Sequence, residues 1–256
     1  MRSPSLAIAS RNGPILERIR RIKEEHPYWG YRRVWAWLRY RERVLVNKKR
    51  VFRFMQEHGL TLKPNERLRA KRLPERSKPR PTRPRQWWGI DMTKVLTPSG
   101  WVYIVLVLDW YTKRIVGYHA GSRALSRDWL EALDRAIKDQ FPMGTRGMGL
   151  SLMSDNGTQP TSVAFMKACG ILGINQAFTS YSNPKGNADT ERVMRMLKEE
   201  LVHIREWESQ EQLTHSLKGW IRFYNEEYLH SSLDYKSPTA FEKEWEGEER
   251  LRSFGG

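Results

Sequence analysis

The chain has 256 residues, 39% hydrophobic and 11% aromatic, which suffices for a packed core in one large or two modest domains and argues against wholesale disorder. Its longest apolar run, Trp101 to Leu108, is eight residues against the roughly 20 of a membrane span, residues 1–14 lack a signal-peptide stretch, and the single cysteine, Cys169, excludes a disulfide framework or a two-thiolate zinc site and fits a reducing cytosol. The net charge of +16 is lopsided: residues 1–86 hold 25 Lys and Arg against 7 Asp and Glu, and the remainder 20 against 22, which points to a nucleic-acid-binding front end on a near-neutral globular domain.

Residues 14–25 carry Ile15, Leu16, Ile19 and Ile22 at helical spacing, with Pro14 suited to a first turn and His26-Pro27 ending the segment. A second helix is expected from about Tyr31 to Arg43, with Val34, Trp37 and Leu38 inward. A third runs from Lys48 to His58, with Asn47 as N-cap and Gly59 as stop. On that helix Val51, Phe52 and Met55 form the expected apolar face, and Lys49, Arg50 and Arg53 point elsewhere. Three short helices with a basic face read as a helix-turn-helix-like module over 1–62, with Lys48, Lys49, Arg50 and Arg53 as DNA contacts. A small helical bundle with a solvated charged face is the alternative. Residues 63–86 follow as a basic, Pro-rich linker: 63–85 alone hold 10 Lys and Arg, 2 Glu and 5 Pro, and Lys71 and Arg72 are candidates to lie along phosphates.

Strands are expected over Trp87–Thr93, Trp101–Leu108 and Arg114–Ala120, with short turns that make them an antiparallel meander. A helix over 126–140 (Leu130, Leu133, Ala136 and Ile137 inward), a strand Leu150–Ser154, a helix over 160–170 and a strand Ile174–Phe178 come next. Residues 179–187 read as a loop and 188–204 as a long helix. The order predicts an α/β fold, a mixed five-stranded sheet with helices on both sides, spanning 87–205. Residues 206–256 form a helical extension whose helix at 210–227 (Leu213, Leu217, Trp220, Ile221 and Tyr224) is a packing or protomer-contact element.

Carboxylates stand at informative places in this domain. Asp91 lies inside the first strand between Ile90 and Met92, where an acid is costly unless paired, hydrogen-bonded or metal-bound. Asp155 ends the fourth strand and opens Asp155-Asn156-Gly157, and 35 residues separate it from Glu191 near the start of the long helix. At 100° per residue Arg195 and Lys198 share the face of Glu191, while Val193, Leu197, Leu201 and Ile204 lie opposite. A surface ion pair between Glu191 and Arg195, or an acid aimed at a metal with Arg195 and Lys198 on phosphates, both fit that helix. Asp109, before a turn, reads as structural. Asn156 reads either as a turn-former or as a group beside metal ions. His119, His203 and His215 show no ligand spacing.

Trp88-Gly89-Ile90-Asp91-Met92-Thr93, Ser154-Asp155-Asn156-Gly157 and Asn187-Ala188-Asp189-Thr190-Glu191, with Lys198 seven residues on, resemble the D-D-(35)-E signature of retroviral-integrase-type transposases, in particular the bacterial transposases of insertion sequence family 3. Tyr28-Trp29-Gly30-Tyr31-Arg32-Arg33 resembles the start of that family's helix-turn-helix-like segment. Tyr224-Asn225, the stretch Tyr228-Leu229-His230-Ser231-Ser232-Leu233 and Lys236-Ser237-Pro238 resemble its C-terminal part. Arg192 stands where many relatives have a small residue, and one cysteine cannot build the zinc module of retroviral integrases.

The resemblance implies an RNase H-like sheet and a metal-dependent polynucleotidyl transferase. In it Asp91, Asp155 and Glu191 are catalytic and hold two Mg²⁺ or Mn²⁺ ions, and Lys185, Arg195 and Lys198 contact DNA ends. It also implies transposon-end and target DNA as partners, a homo-oligomer on DNA, no membrane, a bacterial cytoplasmic location at the nucleoid, and an upstream-frame helix-turn-helix polypeptide of which this would be the downstream, catalytic half. Two other functions stay open on the sequence: a non-catalytic DNA-binding regulator or decayed element, and an RNase H-like nuclease that cuts without joining.

Overall fold

The computed structural model describes residues 6–62, 79–179 and 184–254, and the chain divides into two units, 1–71 and 72–256, each with its own core. In the first, α1 (Leu6–Glu25), α2 (Tyr31–Ala36) and α3 (Lys48–Glu57) pack around Ile19, Ile22, Val34, Leu38, Val51 and Met55, all fully or almost fully buried. Pro14 lies inside α1, not at its start. The expected second helix changes type part-way. After Ala36 the chain winds as a π-helical turn over Trp37–Arg41, and the Glu42 N–H reaches back five residues to the Trp37 carbonyl (3.1 Å).

Asn47 caps α3 as expected, its side chain accepting the Lys49 N–H at 2.8 Å, and Gly59 takes the left-handed conformation (φ +66°) just past the helix end. The buried stripe of α3 is Val51, Phe54 and Met55. Phe52 is 41% exposed and its ring lies 4.7 Å from that of Tyr31. Positions 51, 54 and 55 share one side of a 3.6-residue helix, and 52 falls off its edge.

The second unit is built on a five-stranded sheet: β1 (Trp87–Thr97), β2 (Gly100–Asp109), β3 (Ile115–Gly121), β4 (Ser151–Ser154) and β5 (Asn175–Phe178), in the order β3-β2-β1-β4-β5. The first three form the antiparallel meander, and β4 and β5 add in parallel. The first strand is longer than expected because Pro98-Ser99-Gly100 closes a tight hairpin in which Thr97 pairs with Gly100. Between strands run α4 (Ser126–Gln140) and α5 (Val163–Leu172), whose cap is Ser162, so α5 starts three residues later than the sequence suggested.

Trp88, Ile90, Val105 and Val107 face α4 and α5 and form the main core with Trp129, Leu133, Ala136, Phe165 and Cys169. Alternation turns Gly89, Asp91 and Thr93 to the other side of the sheet, where α6 (Ala188–Glu200) and α7 (Gln210–Glu226) pack. The long helix ends at Glu200, short of the expected residue 204. A 3₁₀ turn (Val202–Ile204) follows, so Ile204 is 49% exposed while Val193 and Leu197 stay buried.

The C-terminal part joins the edge of this sheet. The Asn225 side chain pairs with both the N–H and the C=O of Ile115, each at 2.9 Å, and the Tyr224 hydroxyl donates to the Lys113 carbonyl at 3.0 Å. The last helix, α8 (Pro238–Phe254), brings buried Glu242 to Arg114 at 2.8 Å. Among the described residues no helix is long and apolar enough to cross a membrane.

Asp109 has the structural role expected of it. It is fully buried at the end of β2 and accepts from the Arg85, Tyr111 and Thr112 N–H groups and from the Trp88 indole, at 2.6 to 3.1 Å. Asp109→Ala strands four donors, two of them buried, and we expect it to lower the unfolding free energy by about 3 kcal/mol in urea titrations.

Candidate active site

Asp91 sits mid-strand opposite Leu106 of β2, on the sheet face covered by α6. Its carboxylate accepts one backbone N–H, from Met92 at 2.8 Å, and no cation closes on it among the described residues. Burial pushes its pKa up to about 6; the charges of Asp155 and Glu191 push the same way, and the Met92 N–H and Lys198 pull against them.

Asp155 arrives beside Asp91 through strand register. Parallel pairing matches Gly89 with Met153, and two residues further along both chains come Asp91 and Asp155. Asp155 is exposed just past the end of β4, and one of its oxygens accepts the Gly157 N–H at 3.0 Å. Asn156 beside it donates its side-chain amide to the Thr179 carbonyl, tying this turn to the end of β5.

Glu191 is the fourth residue of α6 and is exposed; partial burial raises its pKa. The turn carrying it is fastened from three directions. Asn187 donates to the Ile90 carbonyl (3.3 Å), the Trp110 indole donates to Thr190 Oγ1 (3.0 Å), and the Lys113 ammonium meets Asp189 (3.0 Å). Gly89 makes this approach possible. A Cβ there would stand 1.9 Å from Thr190 Oγ1, 2.4 Å from the Trp110 indole nitrogen and 2.6 Å from Asn187 Oδ1. The surface ion pair considered for Glu191 is not formed. Among the described residues Glu191 and Arg195 do not come within pairing distance, although the (i, i+4) pairs Arg135–Glu131 and Lys138–Asp134 do.

Asp155 and Glu191 thus both come within electrostatic reach of Asp91 on one side of the sheet. The three are not drawn into a finished ligand cage. Among the described residues no group of three or more His, Cys, Asp and Glu side chains stands close enough to hold a metal ion. Asp91 and Asp155 each have one oxygen committed to a backbone N–H.

Two family models described as "Integrase core domain" match residues 81–184 and 172–238, and one described as "HTH-like domain" matches 10–67. Together these matches place an integrase core domain over residues 81–238, with an HTH-like domain ahead of it. Its relatives include the transposase for insertion sequence element IS904 of Lactococcus lactis, 29% identical over 212 residues covering 78% of this chain and 82% of that protein. They also include the transposase for IS629 of Shigella sonnei (27% identical, 93% and 81% covered) and a putative transposase for IS986/IS6110 of Mycobacterium tuberculosis (26%, 91% and 88%). Among solved structures, a chain of the simian T-cell lymphotropic virus intasome in complex with PP2A regulatory subunit B56 gamma superposes with a TM-score of 0.52 at 16% identity, covering 77% of this chain and 67% of that one. This likeness shows the fold, an RNase H-like sheet flanked by helices with a helical region ahead of it.

Within this integrase core Lys198 lies half-buried and close enough to Asp91 to draw its pKa down, and Arg195 is exposed. The side chain of Lys185, and Lys71 and Arg72 altogether, lie outside the described residues, as does part of the expected loop 179–187. On α3, Lys49 and Arg53 are exposed. Lys48 lies over the Trp35 ring (4.2 Å), and Arg50 reaches Asn12 and the Phe54 ring. Sequence reasoning missed Gly89, Trp110, Lys113 and Thr190 as supports of the site. The available signal was a glycine inside a strand, which marks close approach of another segment.

The raised pKa of Asp91 sets a pH dependence. At Asp91 the folded state binds a proton more tightly than the unfolded chain, whose Asp titrates near 3.9, so the contribution of this group to stability is fully present below about pH 4 and is lost as pH rises through about 6. In chelator-treated protein, Asp91→Asn is expected to flatten that slope and to add about 2 kcal/mol at pH 7 in denaturant titrations.

Proposed function

We propose that this chain is a transposase that cleaves DNA strands at insertion-sequence ends and transfers the freed 3′-hydroxyl to a second phosphodiester. The observation that carries this reading is a half-buried mid-strand aspartate that forms no ion pair among the described residues, whose pKa is pushed to about 6 by burial and by the Asp155 and Glu191 charges against the pull of Lys198. The matched integrase core domain and the transposase names of its relatives support DNA transposition as the setting.

The donor set fits divalent metal in its chemistry. Carboxylate oxygens are hard ligands suited to Mg²⁺ or Mn²⁺, and an aspartate with two further acids in electrostatic reach is an excess of negative charge that such cations relieve. Asp91 and Asp155 would hold the ions from the sheet and Glu191 from α6, and gathering them into one cage is the rearrangement this function requires. When bound, a pair of ions activates the attacking oxygen and stabilises the leaving oxygen of an in-line displacement.

The chain's own residues supply the rest. Lys198 and Arg195, on the helix face of Glu191, hold DNA phosphates beside the acids. The Asp155–Gly157 turn, fixed to Thr179 by Asn156, sets the position of the second aspartate. The reaction passes through no covalent protein–DNA intermediate, so neither Ser nor Tyr serves as nucleophile. Lys48, Lys49, Arg50 and Arg53 of the helical unit, with Lys71, Arg72 and Lys185, engage DNA away from the reacting phosphate. Partners are the terminal repeats, target DNA, further copies of this chain on paired ends, and an upstream-frame helix-turn-helix polypeptide; the protein acts in the bacterial cytoplasm, at the nucleoid.

With a labelled terminal-repeat oligonucleotide and Mg²⁺, the chain should yield cleaved and joined products. Asp91→Asn, Asp155→Asn and Glu191→Gln should each lose about 100-fold or more, with DNA binding kept. Cleavage without joined product would show a nuclease. Binding with no metal-dependent product, the upstream-frame polypeptide supplied, would show a regulator. Removing Lys49 and Arg53 together should weaken binding across DNA sequences and reduce the salt slope by about 2.

A further inference from the structure

The first turn of an α-helix is its least secured part, because its N–H groups have no partner within the helix. In α6 that turn carries Glu191, and the residue at the cap position, Asn187, donates its side chain to the Ile90 carbonyl and caps no helix N–H. Order there comes from other elements. The Trp110–Thr190 hydrogen bond and the Lys113–Asp189 ion pair both start in the short connection between β2 and β3. The ion pair is the charged tie of the set and is well shielded, with the two side chains 21% and 16% exposed.

That connection is itself braced. Lys113 adopts a left-handed backbone conformation (φ +60°), unusual for a residue with a side chain, and its ammonium also donates to the Trp110 carbonyl at 2.5 Å. Its own carbonyl accepts the hydroxyl of Tyr224, which is fully buried on α7. Two residues on, Asn225 closes both polar groups of Ile115. A continuous chain of named bonds therefore runs from α7, through the backbone and side chain of Lys113, to Asp189, two residues before Glu191.

We propose that Lys113 is a positioning residue for Glu191, and that Tyr224 and Asn225 of the C-terminal part set its place, so the aim of the helix-borne acid depends on a segment outside the β1–α6 core. The proposal rests on the reading of Glu191 as a metal-holding acid. Lys113 touches neither DNA nor metal. It acts by keeping the first turn of α6 against Gly89.

The test uses the full chain and three variants. Lys113→Met keeps length and bulk but removes the charge, Lys113→Arg retains the charge, and Tyr224→Phe removes only the hydroxyl that braces Lys113. Amide hydrogen exchange, Mn²⁺ binding by electron paramagnetic resonance, and the Mg²⁺ dependence of terminal-repeat cleavage are read on the same samples. For Lys113→Met we expect exchange at residues 191–194, whose N–H groups bond the carbonyls of the first turn, to quicken about tenfold with β1 and β2 unchanged. We expect Mn²⁺ binding to weaken and half-saturating Mg²⁺ to rise about fivefold, with KM for DNA within about twofold. Lys113→Arg should restore these values, and Tyr224→Phe should move them the same way by less.

Exchange that quickens uniformly across the sheet, or metal dependence that stays at the wild-type value while activity falls, would overturn the proposal in favour of plain structural support. A Lys113→Met protein that will not fold leaves Tyr224→Phe to decide on the same readouts. Failure of the underlying reading has a different signature: wild-type protein, upstream-frame polypeptide supplied, that binds no Mn²⁺ and gives no metal-dependent product overturns both, whatever the exchange of α6.

Discussion

The contact on which the rest turns is the approach of α6 to β1 at Gly89. Helices resting on sheets are ordinarily held off by the side chains between them, but here the strand presents a hydrogen atom where Thr190, Asn187 and Trp110 converge. No other residue type leaves that space without moving one of those neighbours. The next residue of the helix after Thr190 is Glu191, and two residues along the strand from Gly89 is Asp91. A contact too close for any Cβ therefore brings together two acids 100 positions apart in the chain, and parallel pairing of β1 with β4 adds Asp155. The 35-residue interval between Asp155 and Glu191 includes α5, β5 and a 3₁₀ turn (Pro184–Asn187) that leads into α6.

Two aspartates of this sheet show how partners divide structure from chemistry. Asp91 and Asp109 both belong to central strands, and burial raises the pKa of both. Asp109 is surrounded by donors: three backbone N–H groups and an indole consume its lone pairs and fasten the end of β2 to Arg85 and Trp88. It is a satisfied buried acid, spent on the fold. Asp91 has one such donor and two neighbouring acids. The Met92 N–H and Lys198 offset its desolvation only in part, and that remainder is what the proposed metal-holding role of Asp91 rests on.

What the sequence made legible follows from the range of the forces involved. The hydrophobic run Trp101 to Leu108, the amphipathic period of 126–140, the Asn47 cap and the Gly59 stop are local, and each element stands where those signals put it. Asp109 was readable because a turn follows it. Errors came where tertiary contacts outvote local pattern. The π-helical turn at Trp37–Arg41 coincides with the Trp35 indole donating to the Val46 carbonyl, a contact between residues eleven apart. The exchange of Phe52 for Phe54 in the core, and the end of α6 at Glu200, depend on packing partners that a window of sequence does not contain. The motifs marked Asp91, Asp155 and Glu191, but not the props behind them. Lys113 and Tyr224 look like ordinary surface and core residues until the chain is folded.

The C-terminal part is woven into the sheet and does more than cover it. β3 is an edge strand, and an edge offers unpaired N–H and C=O groups to any other strand. At Ile115 the amide of Asn225 answers both groups, as a neighbouring strand would, and so ends the ladder with a side chain. Next to it Arg114 is caught between Asp139 of α4 and Glu242 of α8, so the same connection is pinned from both faces. Glu242 is buried, which raises its pKa, and the Arg114 charge opposes that rise without cancelling it. A connection held this tightly has little freedom to relax when one tie is cut, and any displacement of it is passed to Asp189 through Lys113. That is why residues after 210 bear on an acid at 191 that they do not touch: rigidity, rather than proximity, carries the influence across the sheet.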